Sequence, residues 1–403
     1  MSSVQPLPNA GQVRASMPGD ARQRSLPLAL VVLVPSVAVY LAAWFGTIVS
    51  PWWLWPLLSP LTDLAASMVF VIGHDAAHDS LTPNRRLNSI LGRLLFIPSW
   101  HSYAGWVHAH NHIHHGWTNL QTYDYVWSPL SLTLYRSLPG WRRFLVRLYR
   151  WWPGFGLYYA VEILIKRLLY ITPDVRRRKA RLWWLFDDMF LLIGVVAQGW
   201  ATLTIAEYFG VTTNPVLLIL ATLVVPFIVV QWLIGFVTYL HHTHPSIPWF
   251  QDFDEWTFYT GQVLGTAQTD FTRGVNQAIG NVMEHTAHHV DPRIPLYRLA
   301  RAQERLAAEH SPVRHKFTWR SFAYVQRTCQ LYDFEQHCWL DYHGRPTTSR
   351  TIDDATLERA RASRAPAAKQ AMPSVAATAL AGTGTHELSL SQIRRDQHDF
   401  GSS

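Results

Sequence analysis

Residues 51–80, PWWLWPLLSPLTDLAASMVFVIGHDAAHDS, decide the fold, because an apolar run from 52 to 73 ends directly in a pair of histidines. Crossing a hydrocarbon core of about 30 Å takes roughly 20 apolar residues in a helix, so 52–73 reads as a membrane span. His74 and His78, at i and i+4 just past its end, share one helical face. A histidine pair placed where a span leaves the membrane is a candidate half-site, and the rest of the chain supplies partners for it.

Three further segments meet the same criterion, about 26–49, 183–206 and 215–240. The four spans make two hairpins, turning at Ser50 and Pro51 and between Glu207 and Pro215, and neither turn contains Lys or Arg. Basic residues crowd the N-terminal segment and the central loop instead, which puts both termini and that loop in the cytoplasm. Trp52, Trp53, Trp55, Trp183 and Trp184 fit interfacial belts. Asp63, inside the second span, is expected to face another helix, and Asp187 and Asp188 to lie at headgroup level. Residues 86–106, and 154–171 with Glu162 and Lys166 at i,i+4, read as helices lying in the interface. The fold class is therefore all-α integral membrane, with four transmembrane helices in two hairpins and a cytoplasmic helical cap.

Composition agrees. Of 403 residues 49% are hydrophobic and only 15% charged, against roughly a quarter charged in an ordinary globular domain. The formal charge of +8 is carried mostly by Arg in the N-terminal tail and between Arg85 and Arg181, where a membrane protein needs it, so no nucleic-acid partner is implied. Cys329 and Cys338 lack CxxC spacing and read as reduced and structural. Residues 1–25 are polar and Pro/Ala-rich and read as a disordered cytoplasmic tail, not a signal peptide. Residues 26–349 form the membrane domain, and 350–403, rich in Ala, Ser, Thr and Arg, read as a disordered C-terminal tail. Arg greatly outnumbers Lys, which points to a GC-rich bacterial genome and a bacterial inner membrane.

Most of the 20 histidines fall in four places at the cytoplasmic ends of spans. Besides His74 and His78, the central loop carries WVHAHNHIHHGWTN, where His110, His114 and His115 form HxxxHH with His108 and His112 interleaved. On an α-helix His110 and His114 share a face and His115 lies about 100° further round, so neighbours can serve different metals. The third donor of this segment is His110 or His112; we take His110. Beyond the last span, NVMEHTAHHVDPRIPLYRL places His285, His288 and His289 in HxxHH. A fourth group, YLHHTHP, holds His241, His242 and His244, of which His244 is taken as a ninth donor.

Neutral imidazole suits iron, zinc, copper or nickel. Eight or nine histidines exceed what one ion can use, so two ions are implied, and the lack of clustered Cys argues against thiolate chemistry. Soluble di-iron bundles use Glu and ExxH on facing helices, and no ExxH pair occurs at these span ends. Rings bound to metal usually donate their other N–H to a carboxylate or carbonyl. Asp75, Asp79, Asp124, Glu284 and Asp291 are placed to accept it.

Over roughly residues 50–310 the chain resembles the membrane fatty-acid desaturase family, known by three boxes, HxxxH, HxxHH or HxxxHH, and HxxHH, around four spans. HDAAH, HNHIHH followed by Thr118 and Asn119, the HTHP after the last span, and HTAHH with PRIPLYRL downstream look most like the Δ12/ω6 acyl-lipid branch. The second box departs by one residue from the commoner HxxHH, with Asn111 where the shorter spacing would put His. The resemblance implies a non-haem centre of two iron ions and molecular oxygen as co-substrate. It also implies a fatty acyl substrate carried by lipid, CoA or carrier protein, two electrons from a ferredoxin or cytochrome b5-type donor, and a cis double bond as product. An unactivated methylene offers no acidic proton and no leaving group, which is why such a reaction needs a metal–oxygen oxidant.

Two other readings compete. On the same scaffold the chain would be a hydroxylase, an acetylenase or a carotenoid oxygenase. From another class it would be a histidine-rich metal transporter or sensor, which predicts ionisable residues along a path inside the spans rather than histidines at their ends.

Overall fold

The computed structural model describes residues 5–172, 175 and 177–364, apart from the side chain of Arg273. A short helix α1 (Ala10–Ala15) precedes α2 (Leu26–Val49) and α3 (Trp55–Ala77), the latter entered through a 3-10 turn at Trp52–Leu54. The central region holds α4 (Arg85–Leu95), then α5 (Tyr103–Trp106), which runs on into a π-helix over Val107–His114. Next come α6 (Leu132–Ser137), α7 (Gly140–Arg150) and α8 (Phe155–Tyr158), the last continued by a π-helix over Tyr159–Leu169. The second hairpin is α9 (Arg178–Tyr208), then α10 (Pro215–Ile219), a π-turn at Leu220–Val224 and α11 (Val225–His242). A cap follows, with β1 (Ala267–Asp270), α12 (Arg273–Ala278), α13 (His285–Val290), α14 (Leu296–His310), β2 (Val313–Lys316) and α15 (Trp319–Thr328), then β3 (Leu331–Asp333), β4 (Cys338–Leu340) and α16 (Asp354–Arg364).

Four helices are long and apolar enough to cross a membrane: Leu26–Val49, Trp52–Ala77, Arg178–Tyr208 and Pro215–His242. The chain is a multi-pass membrane protein. The first span starts cleanly because Ser25 caps it and Pro27 sits in its first turn. Its partner is tied back by the Trp55 indole, which donates to the Thr47 carbonyl at 3.0 Å. The helices overrun the expected spans, reaching Ala77 instead of 73 and starting at Arg178 instead of 183. Intrahelical hydrogen bonding does not stop where the hydrocarbon does. The second and fourth spans are the inner ones, with 44% of their apolar windows buried against 17% for the outer two. These inner spans are also the two that end in histidines.

Polar groups inside the bundle are placed where protein surrounds them. Asp63 is buried on α3. Asp187 on α9 is buried and accepts from Nε and Nη2 of Arg93 on α4, at 2.6 and 3.2 Å. Removing either partner would leave an uncompensated buried charge, at a cost of about 3–5 kcal/mol. Lys166 pairs with Glu162 at 2.7 Å, as their i,i+4 spacing requires.

The helical architecture is as expected, with two additions. The cap contains a parallel pair, β1 with β2 in register Ala267↔Val313, and an antiparallel pair, β3 with β4. Residues 5–25 and 350–364, expected as tails, are packed. Val13 is fully buried and Asn9 makes a capping box with Gln12. Arg14 donates to the Val290 carbonyl at 2.9 Å, Arg22 pairs with Asp291, and the Leu7 amide donates to Ser363 on α16 at 2.9 Å. Composition misjudged these stretches because a few apolar residues, Val13, Met17, Ile352 and Leu357, dock while the arginines between them reach backbone carbonyls and carboxylates of the cap. The remaining parts of the expected tails, 1–4 and 365–403, lie outside the described residues. Cys329 and Cys338 are both free and buried.

Candidate metal centre

Each histidine segment is presented by a distinct local device. Helix α3 carries His74 past the apolar part of the span and ends with His78 as its C-cap, the His78 amide still donating to the His74 carbonyl at 3.1 Å. Gly73 just before it is required, since a Cβ there would lie 2.9 Å from the Phe96 ring. Asp75 fixes this end by accepting the Leu296 amide at 2.6 Å.

The second segment departs from expectation in its helix type. Val107–His114 is a π-helix, and the His115 amide donates to the His110 carbonyl, five residues back, at 3.0 Å. The wider turn changes which rings meet: His110 now joins His115, with ring nitrogens 3.1 Å apart, whereas an α-helix would have paired it with His114. The extra residue of HNHIHH is thereby absorbed. Asn111 donates to the Ala77 carbonyl at 2.8 Å and pins this helix to the end of α3, while His112 is exposed.

The third segment is α13, six residues long and buried throughout, with the Ala287 amide held by Gln303 at 2.7 Å. The fourth segment is corrected by one residue pair. Helix α11 ends at His242, which points into the site, and Thr243 is extended. His244, expected as the ninth donor, lies beyond that break and stacks on His315 at 4.8 Å instead. His241 stacks on His285 at 3.7 Å.

The histidines converge as two groups. One comprises His74, His78, His110, His115 and His288, the other His114, His242, His285 and His289, and within each group one donor atom from every ring lies within 4.8 Å of the rest. The adjacent pairs of the second and third segments, His114–His115 and His288–His289, are each split between the groups. In the first, Nε2 of His110 is 3.0 Å from Nε2 of His74, and Nε2 of His115 is 3.1 Å from that of His288. In the second, Nε2 of His285 is 2.9 Å from Nε2 of His242. Two imidazole nitrogens bound side by side on one ion at about 2.1 Å lie about 3 Å apart, so the spacing fits metal ligation.

The protonation states fit as well. Burial, and then the neighbouring histidines, hold His78, His110, His115, His285, His288 and His289 well below the ordinary imidazole range, so these rings are neutral and offer lone pairs. His114 Nδ1 donates to Asp124 at 3.0 Å, and Asp124 is fixed by the amides of Asn119 and Val126. His289 Nδ1 donates to Gln262 Oε1 at 3.0 Å, which leaves its Nε2 as a lone pair that is buried without a protein partner, like His78 Nε2. These orphaned acceptors are what a cation would satisfy.

Of the five carboxylates expected to brace rings, only Asp124 hydrogen-bonds one of the grouped histidines. Asp75 stands 3.7 Å from His74 Nδ1, Asp291 pairs with Arg22 and Arg293, and Glu284, pushed up to about 7 by burial and then by Asp270, faces Asn276. Gln262 had no signal in the sequence. It lies on a π-turn (Tyr259–Val263), far from any histidine motif, and also donates to the His115 carbonyl at 2.8 Å. Against both groups lies a narrow cavity of about 30 Å³, lined by Trp106, Tyr125, Val126, Tyr159, Ile163, Leu168 and Thr238.

Fold and site together define an integral-membrane protein with two polyhistidine groups, able to bind metal, at one end of a four-span bundle. The chain belongs to the fatty acid desaturase family, whose model matches residues 50–322, and is an enzyme of the membrane desaturase type. It is 29% identical to an omega-6 fatty acid desaturase, chloroplastic, of Arabidopsis thaliana, over 77% of this chain and 66% of the relative. The corresponding protein of Spinacia oleracea is also 29% identical, over 82% of this chain and 71% of the relative. An sn-1 oleoyl-lipid 12-desaturase of Picosynechococcus is 27% identical over 75% and 84%. The chain thus spans about two thirds of the length of the Arabidopsis relative.

Proposed function

We propose that the protein is an O2-dependent fatty acyl desaturase whose two histidine groups each hold one iron. The observation that carries this reading is the splitting of the adjacent pairs His114–His115 and His288–His289 between the groups, which supports two ion sites within one cluster. Iron bound there supplies oxygen activation when two electrons are delivered from outside. The overall change is –CH2–CH2– + O2 + 2 electrons + 2 H⁺ → –CH=CH– + 2 H2O.

The chain's own residues do the rest. Asp124 and Gln262 hold His114 and His289 in the tautomer that presents Nε2 inward. Trp106, Val126, Tyr159 and Ile163 line one side of the rings with apolar surface and exclude water from them. The names of the relatives support an oleoyl-type acyl chain oxidised at the 12 position. The arginine distribution supports a cytoplasmic site and termini in a bacterial inner membrane, served by a ferredoxin or cytochrome b5-type donor. The test is gas chromatography with mass spectrometry of lipids from a host expressing the chain. A new cis double bond in an existing monoene is expected, and a hydroxylated or acetylenic product would overturn the reading.

A further inference from the structure

Outside the metal centre, a cavity of about 340 Å³ lies between the end of α7, α15 and the chain beyond β4, lined by Arg147, Arg150, Gln326, Arg327, Gln330 and Tyr342. That volume is in the range of small-molecule sites. Three arginines line it and, among the described residues, no carboxylate does. Arg150 is buried and donates to the carbonyls of Trp127 at 2.8 Å and Cys329 at 3.4 Å, and Arg147 donates to the Tyr135 hydroxyl at 2.7 Å, so neither partner set carries charge. The Arg327 guanidinium has no hydrogen bond or ion pair among the described residues. Three guanidiniums around one cavity repel one another until an anion joins them, and their planar N–H pairs match phosphate.

The surroundings select the kind of phosphate. Helix α7 exposes Trp141 and Phe144, and the chain just after it exposes Trp151 and Trp152. The Trp152 carbonyl accepts the Trp232 indole of the fourth span at 2.8 Å, which ties this edge to a membrane helix. Arginines interleaved with exposed aromatics on a short amphipathic helix are the pattern of a segment lying among lipid headgroups. Buried Trp127 stands between this cavity and the metal centre. Trp127, whose carbonyl Arg150 holds, follows Val126 in sequence and donates its indole N–H to Thr238 at 3.0 Å, and both Val126 and Thr238 line the small cavity beside the histidines.

We propose that this arginine cavity binds the phosphate of a membrane phospholipid. The test uses the full chain reconstituted with dioleoylphosphatidylglycerol or with dioleoylglycerol, comparing the wild type with R147Q/R327Q and with R327Q alone. Both substituted arginines are exposed, and thermal unfolding checks that the variants fold. Mass spectrometry reads the lipid retained through detergent exchange, with no turnover required.

Retention of phosphatidylglycerol should fall about tenfold in the double variant and less in the single one, with dioleoylglycerol unaffected. Equal retention of phosphatidylglycerol by wild type and variant overturns the proposal. So does displacement of the lipid by coenzyme A or inorganic phosphate at lower concentration than by phosphatidylglycerol, which would make the anion a soluble one. Unchanged lipid retention with lost binding of an acidic electron-donor protein overturns it in favour of a protein-docking surface. A wild type that retains phosphatidylglycerol yet makes no double bond upholds the site and sinks only the desaturase reading.

Discussion

The five-histidine group and the four-histidine group draw on the same second and third histidine segments but are held in different ways. In the four-membered group all rings are buried, and two of them, His114 and His289, are fixed from behind by Asp124 and by Gln262 with Thr118. The five-membered group has one more donor, yet His74 and His110 are only half-buried, and its rings meet mainly one another. Donor number and outer support trade off: a group with fewer rings needs each one oriented by a neighbour, whereas five convergent rings constrain themselves. Mutations behind the rings should therefore weigh on the four-histidine group, and mutations of the rings on both.

The largest effect belongs to the rings. His288→Ala in one group and His285→Ala in the other should each lower product by more than about a hundredfold, beyond what loss of an outer partner costs, with membrane insertion intact. Metal content should drop by one ion per chain in each variant, measured on purified protein. Retention of both ions in either variant would break the two-group division.

Next come the supports. Asp124→Ala and Gln262→Leu should each reduce activity or metal affinity about 10- to 100-fold. Asp291→Asn, nearer in sequence to a histidine segment but paired with Arg22 and Arg293, should keep its metal. If Asp124 and Asp291 behave alike under metal titration, the contrast between braced and unbraced rings is wrong.

Acid should act in one direction on both groups. The six rings whose pKa lies well below the usual 6.5 stay neutral in the folded chain, while in the unfolded chain they take up protons near 6.5. The unfolded state then binds more protons, so stability is full above about 6.5 and falls as pH drops below it. Metal is released over the same range through the unfolding itself, because the rings of the folded chain take up protons only well below it. Unfolding and metal content followed between pH 7.5 and about 5 should fall together; constancy of both would show that the rings are charged or solvated.

The smallest effect expected is at His244. His244→Ala should leave metal content and most activity in place, whereas His242→Ala should resemble His285→Ala. This pair also marks where the sequence could be read and where it could not. The spans and the convergence of the eight histidines of the three boxes were legible because apolar length and repeated spacing are local properties. The choice of His242 over His244 was not, because it depends on where α11 stops. The pairing of His110 with His115 was hidden for a similar reason: spacing alone assumes 3.6 residues per turn, and the π-helix over Val107–His114 follows from how this segment docks on Ala77 through Asn111. Gln262 carried no motif at all. The docking of residues 5–25 and 350–364 rests on a few apolar contacts that composition averages away.

The central claim is that the two histidine groups are two ion sites of one oxidising centre. It is tested most directly by elemental analysis of protein purified from an iron-supplied, product-forming host, alongside His288→Ala and His285→Ala. The account predicts close to two irons per chain in the wild type and about one in each variant, one ion for each group. A single ion per active chain, or stoichiometric zinc with activity independent of iron, would contradict it.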